Sequence, residues 1–225
     1  MIETLRFPDE QAWLRALVGD CRGCVDAAIA SRGRAHVALS GGSTPKPFYQ
    51  RLNVEPLPWN RIEWWLGDER WVLPTDPQSN ERMVRETLGP GRDEFAEHFH
   101  TWHLDDDPSE AARKFEDHLK QQMGDQPVFD LVLLGIGGDG HTASLFPGTA
   151  ALEEKTRNAV ANEVPQMKST RMTLTFPALN RAREIWFLVS GREKESVIQR
   201  ILNRDAAFPS ARVSATNQKL YWMTA

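Results

Sequence analysis

An α/β fold, with an open, mainly parallel sheet flanked by helices on both faces, is what this sequence predicts. Three observations carry the expectation. Short apolar runs alternate with amphipathic helical stretches along most of the chain. The strongest run, F-D-L-V-L-L at residues 129–134, is nearly all apolar, as a strand covered on both faces must be. Three of the runs end directly in polar, glycine-containing loops, where open α/β sheets take their ligands. The 225 residues are read as one domain spanning 1–225. At this size roughly 70% of the unfolded surface is buried, so neither a disulfide nor a metal is needed to hold the fold.

Taken in order, residues 5–7 make a short first strand, and Pro8-Asp9 begins a helix to about residue 31. Its Trp13, Leu14, Leu17, Val18, Cys21, Val25 and Ile29 lie roughly at helical spacing. Residues 35–39 form a strand that stops at S-G-G-S-T, and a helix follows over 45–52. Residues 62–66 form a strand ending in G-D-E-R, and 79–88 form a helix closed by Gly89-Pro90. A short strand over 99–103 precedes a helix capped by Asp107-Pro108-Ser109 and running to about 123. The buried strand at 129–134 leads into G-I-G-G-D-G-H-T. Strands at 171–175, 185–189 and 220–223, with helices at 177–181 and 193–202, complete the pattern.

Composition narrows the functional classes. With 27 Lys+Arg against 31 Asp+Glu the net charge is −4, the wrong sign for displacing counterions from nucleic acid. No apolar run reaches the roughly 18 residues a membrane span needs. Residues 1–6 lack a basic region followed by an apolar stretch, so no signal peptide is expected and a cytoplasmic location is. Cys21 and Cys24 have C-x-x-C spacing, but they lie inside a helix rather than at its start. The alternatives are a redox pair and a small buried hydrophobe with an incidental neighbour. His98, His100 and His103 admit either a metal site or a partly exposed strand, and no carboxylate or cysteine stands at a recognised ligand spacing. No metal and no cofactor is expected. No G-x-S-x-G elbow is present, and the tryptophans lack the basic interleaving of a base-stacking surface.

The three loops hold the candidate chemistry. In the first, Gly41 and Gly42 let the backbone approach an anion, Ser43 and Thr44 add hydroxyls, and the following helix directs its amides there. The plainer reading makes Ser43 or Thr44 a helix cap with Pro45 at the first helical position. In the second, Asp68, Glu69 and Arg70 stand at a strand end. Arg70 suits a phosphate or carboxylate, unless the charges are simply solvated. The third, residues 135–140, fits G-x-G-x-x-G literally, yet Pro147-Gly148 arrives where a long helix should run. Its alternative is a glycine cradle (Gly137, Gly138, Gly140) presenting Asp139 and His141 as a base and its neighbour.

Together, S-G-G-S-T-P at 40–45, G-D-E-R at 67–70, G-I-G-G-D-G-H-T-A-S-L-F-P at 135–147 and R-M-T-L-T-F-P-A-L-N at 171–180 resemble the 6-phosphogluconolactonase family. The likeness runs from about residue 8 onward. It implies a Rossmann-like sheet of the sugar-phosphate isomerase/deaminase type. It also implies hydrolysis of 6-phospho-D-glucono-1,5-lactone, a small sugar-phosphate lactone, by a monomer or homodimer. By the same resemblance His141 is the catalytic base with Asp139 beside it, and Gly41, Gly42, Ser43, Thr44 and Asp68 line the site. Phosphate falls to Arg70 with either Lys168 or Arg171, and the amides of Gly137, Gly138 and Gly140 are expected to hold the oxyanion. Gly138 stands where many relatives carry proline, and residues 164–171 lack the proline-rich stretch usual there. Two rivals remain. Glucosamine-6-phosphate deaminase has a similar D-G-H loop but carries F-N-M-D-E-Y-like and G-H-I-A-F-N-E-P segments, which this chain lacks. A non-catalytic sugar-phosphate binding module would not need His141.

Overall fold

The computed structural model describes residues 2–104 and 107–224. In chain order the elements are β1 (Ile2–Phe7), α1 (Glu10–Arg32), β2 (Ala35–Leu39), α2 (Lys46–Asn53), β3 (Ile62–Leu66) and β4 (Asp68–Arg70). Next come α3 (Asn80–Thr87), α4 (Asp93–Glu97), β5 (Phe99–His100), α5 (Pro108–Met123), β6 (Leu131–Leu134) and β7 (Ala159–Val164). The chain closes with β8 (Ser169–Leu174), α6 (Phe176–Asn180), β9 (Glu184–Ser190), α7 (Glu195–Leu202), α8 (Pro209–Arg212) and β10 (Asn217–Met223). Seven strands form one sheet in the order β1-β10-β9-β6-β2-β3-β5, and every neighbouring pair is parallel.

Helices cover both faces of this sheet. Successive residues of a strand point to opposite sides, and Trp64 and Trp65 of β3 show what lies on each. Trp64 packs on Trp59 and on Phe95 of α4, whereas Trp65 meets Phe115 and His118 of α5. All four residues of β6 are buried, as its apolar run predicts. The Asp9 carboxylate accepts the Ala12 amide (2.8 Å) to start α1, and Gly33 at φ 82° ends it. Trp13, Leu17, Cys21 and Val25 form its buried stripe, and the Trp13 indole donates to the Tyr221 carbonyl (3.2 Å). Both cysteines are free thiols. Burial, the largest cause, drives both thiol pKa values up, that of Cys24 to about 12, the reverse of what a redox pair requires.

Two expectations change. Residues 171–175 are not a strand of the main sheet. They lie mostly in β8, the centre of a separate antiparallel sheet, β4-β8-β7. Its β7 strand, A-V-A-N-E-V, carries Asn162 and Glu163 among small apolar residues and so has no strand pattern that stands out in the sequence. The strand anticipated over 99–103 shortens to β5, a two-residue edge, a form in which a sheet end resists further pairing. The small sheet is tied to the large one through Gly67. Its amide donates to the Leu39 carbonyl (2.9 Å), while its own carbonyl accepts from the Leu174 amide (2.9 Å). That junction lies at the carboxyl ends of β2 and β3, which brings the G-D-E-R segment beside the S-G-G-S-T loop.

Candidate active site

A cavity of about 230 Å³ opens beyond the carboxyl ends of the central strands. One wall is the Ser40–Thr44 loop, which follows β2. A second is Asp68 and Arg70 of β4, with Asn80 at the start of α3. The third carries Gly137 and His141 from the loop after β6, and Lys194 from the turn after β9 closes the ring.

His141 is held by its own loop. Its Nδ1 lies 2.6 Å from Asp139 Oδ1, which also accepts the His141 amide (3.1 Å). Nδ1–H facing a carboxylate leaves the lone pair of the neutral ring on Nε2. That nitrogen has no hydrogen-bond partner among the described residues. Phe146 stacks on the imidazole at 4.1 Å between centroids and 25° between planes. Burial raises the Asp139 pKa. The His141 amide, the imidazole's charge and its ring hydrogen bond outweigh this and hold the carboxyl below its usual range. Gly137 must be glycine, because a Cβ there would sit 2.1 Å from His141 Nδ1.

The two glycine loops differ in where their amides go. In the 135–142 loop the Gly137 amide donates to the His141 carbonyl (2.9 Å) and the Gly140 amide to the Gly137 carbonyl (3.0 Å). The expectation that both hold an oxyanion is therefore corrected, because these donors are spent on folding the loop. Of the three glycines only Gly138 keeps a free amide among the described residues. In the Ser40–Thr44 loop, by contrast, the amides of Gly41, Gly42, Ser43 and Thr44 have no acceptor among the described residues. Nor do Ser43 and Thr44 cap α2: the position before it is Pro45, with no side-chain cap. A helix N-terminus with unspent amides and hydroxyls is suited to an anion.

Buried donors without partners point the same way. Ser40 Oγ and the Nε atoms of Arg70 and Arg171 are all buried and unpaired. Arg70 and Arg171 face each other across the β4–β8 pair. Burial, and then the charge of Arg70, lower the Arg171 pKa, so unliganded protein holds two guanidiniums that repel. Asp68 is immobilised, its Oδ2 accepting from Ser144 Oγ (2.7 Å) and its main-chain oxygen from Asn80 Nδ2 (2.9 Å).

The structure brings His141, Asp68, Arg70 and Gly41–Thr44 around one cavity. Neither alternative for the second cation lines it. Lys168 is an exposed turn residue with φ 47°, and Arg171 is buried beside Arg70, its cross-strand partner on the same face of the small sheet, with its Nη2 3.7 Å from Met167 Sδ. The second cation lining the cavity is Lys194, whose Nζ donates to the Ile136 carbonyl (3.2 Å). The R-E-K triplet after a buried strand was its one signal in the sequence. Asn80 and Ser144 were equally unmarked.

The histidine run lies elsewhere. His98 Nδ1 and His100 Nε2 approach Glu63 Oε2 (3.3 and 2.8 Å), Arg34 pairs with the same carboxylate, and His118 Nε2 meets His100 Nδ1 at 2.8 Å. Among the described residues no group of three or more His, Cys, Asp or Glu is arranged to hold a metal. The carboxylate that the spacing lacked comes from the neighbouring strand. Burial alone would raise the Glu63 pKa, but the His100 hydrogen bond and the charges of His98, His100 and Arg34 bring it to about 2. No helix among the described residues is long and apolar enough to cross a membrane.

The family model for glucosamine-6-phosphate isomerases/6-phosphogluconolactonase matches residues 8–222. A 6-phosphogluconolactonase of a Nostoc species is 37% identical, covering 97% of this chain and 94% of the relative. One from a Synechocystis species is 40% identical over 87% and 84%. The crystal structure of 6-phosphogluconolactonase from Thermotoga maritima superposes with a TM-score of 0.88 at 28% identity, covering 100% of this chain and 99% of that one. A 6-phosphogluconolactonase from Shewanella baltica gives 0.89 at 28%, covering 100% and 98%. With residues 8–222 matched by the family model and relatives similar over nearly its whole length, the chain belongs to the glucosamine-6-phosphate isomerase/6-phosphogluconolactonase family.

Proposed function

We propose that this chain is a lactone hydrolase that opens 6-phospho-D-glucono-1,5-lactone to 6-phospho-D-gluconate, a step of the oxidative pentose phosphate pathway. The observation that carries the reading is His141: its Nδ1 is engaged by Asp139, and the ring lines a cavity with Arg70, Lys194 and four unspent amides. A lactone is an activated ester and needs only a positioned water, a base and a grip on the rest of the molecule. His141 Nε2 takes a proton from water as the oxygen attacks the lactone carbonyl carbon. Of the amides of Gly137, Gly138 and Gly140, that of Gly138 alone is uncommitted among the described residues, and the tetrahedral oxyanion is assigned to it. On collapse the bond from the carbonyl carbon to the ring oxygen breaks. That oxygen takes the proton back from the imidazolium, and the new carboxylic acid ionises to solvent. Asp139 keeps the ring in the productive tautomer and balances its charge. The 41–44 amides, Arg70 and Lys194 hold the phosphate, so binding energy far from the carbonyl orients the sugar. Asp68, fixed by Ser144 and Asn80, accepts from sugar hydroxyls.

The family also contains isomerases acting on glucosamine 6-phosphate, and the relatives named above favour the lactonase. The deciding experiment is a continuous assay with freshly generated lactone, corrected for spontaneous opening, on wild type and His141→Ala. The variant should lose about 10²-fold or more in kcat. Full turnover by His141→Ala ends the base assignment, and ammonia released from glucosamine 6-phosphate by wild type ends the lactonase reading.

A further inference from the structure

We infer that Ser210 of α8 is a positioning residue for His141, acting through the peptide that joins Gly140 to it. The inference rests on the reading of His141 as the base. Ser210 is completely buried and grips the Gly140 carbonyl twice, through its amide (3.0 Å) and its Oγ (2.8 Å). A peptide unit is planar, so fixing its oxygen also fixes the direction of the N–H at its other end. Here that N–H belongs to His141 and donates to Asp139 Oδ1, the same oxygen that meets the imidazole Nδ1. Ser210 thus sets the peptide plane, the plane sets the carboxylate oxygen, and that oxygen sets the ring.

The neighbouring packing is built to the same end. Gly140 has φ +79°, and a Cβ on it would lie 1.8 Å from Phe208 Cδ1, so the Phe208 ring closes over the backbone where only glycine leaves room. Phe208 is itself held. The Arg200 guanidinium lies 3.9 Å from its ring centroid, Arg200 pairs with Asp205 (2.7 Å), and the Phe208 amide donates to the Asp205 carbonyl (2.9 Å). The groups that grip phosphate lie on other elements, which separates the two roles experimentally.

The test measures kcat, KM, the pH dependence of kcat and the thermal midpoint for Ser210→Ala and Ser210→Cys, with His141→Ala alongside. For Ser210→Ala, kcat should fall about tenfold while KM for the phosphorylated lactone stays within about twofold. A loosened Asp139 stabilises the imidazolium less, so the acid limb of the profile should move to lower pH. Asp68, Arg70 and Lys194, the other charged groups lining the cavity, are unchanged in this comparison. Ser210→Cys, which keeps a weaker donor in place, should recover part of the rate. Unchanged kcat and acid limb in Ser210→Ala, with His141→Ala inactive, overturn the positioning role alone. Full activity of His141→Ala overturns the base assignment and this inference with it. If Ser210→Ala does not fold, Ser210→Cys takes its place. Its thiol is the weaker donor to the Gly140 carbonyl, so kcat should still fall and the acid limb still move, and an unaltered kcat and acid limb again decide against the inference.

Discussion

Arg70→Ala should damage turnover of the phosphorylated lactone far more than that of free gluconolactone. One Nη1 proton of this guanidinium is spent on the Gln78 carbonyl, which fixes the fork, and its Nε is buried without a partner. A hydrogen bond to a charged group contributes about 1.5–3 kcal/mol. At 1.4 kcal/mol per decade, losing one such bond to phosphate lowers kcat/KM by about 10- to 150-fold. Free gluconolactone makes no such bond and should change by less than about threefold. Arg70→Lys keeps the charge but neither the fork nor the Gln78 anchor, so it should fall between. Removing Arg70 also relieves its repulsion with Arg171, so the thermal midpoint of unliganded Arg70→Ala should hold or rise. The assay follows acid release from both lactones on wild type and both variants, with spontaneous opening subtracted. Equal losses on the two substrates, or none on the phosphorylated one, would refute the anchor.

Two further outcomes follow from the same geometry. Asp139→Asn keeps the shape beside His141 but removes the charge that holds its Nδ1 proton, so kcat should drop about 10²-fold or more with little change in KM; wild-type kcat would show that Asp139 does not orient the base. Glu63→Gln tests the histidine cluster. Because the folded pKa of Glu63 is about 2, below its unfolded value, its stabilisation is present above about pH 4.5 and lost as pH falls toward 2. The shift from 4.5 to about 2 corresponds to about 3 kcal/mol. Urea unfolding of wild type should therefore weaken between pH 6 and pH 3 more steeply than that of the variant, and parallel pH dependences would show that the cluster contributes nothing.

What could be read from the chain alone was local or periodic. The buried β6 strand, the capped α1 helix and the three loops at strand ends are patterns within a few consecutive residues. Asp139 and His141, two positions apart, meet within one turn of backbone. The remaining decisions depend on which distant segments the sheets bring together. Pairing of β4 with β8 set Arg171 beside Arg70 and left Lys168 on an exposed turn, while the parallel register of β9 delivered Lys194 to the cavity rim. Glu63 became the partner of His98 and His100 only because β3 and β5 are neighbours. The same holds for amides: glycine spacing marks two loops as alike, but only the folded backbone shows one with its donors consumed and the other with its donors free. Side-chain direction and hydrogen-bond commitment are set by strand register and long-range contact, and no short window of sequence contains either.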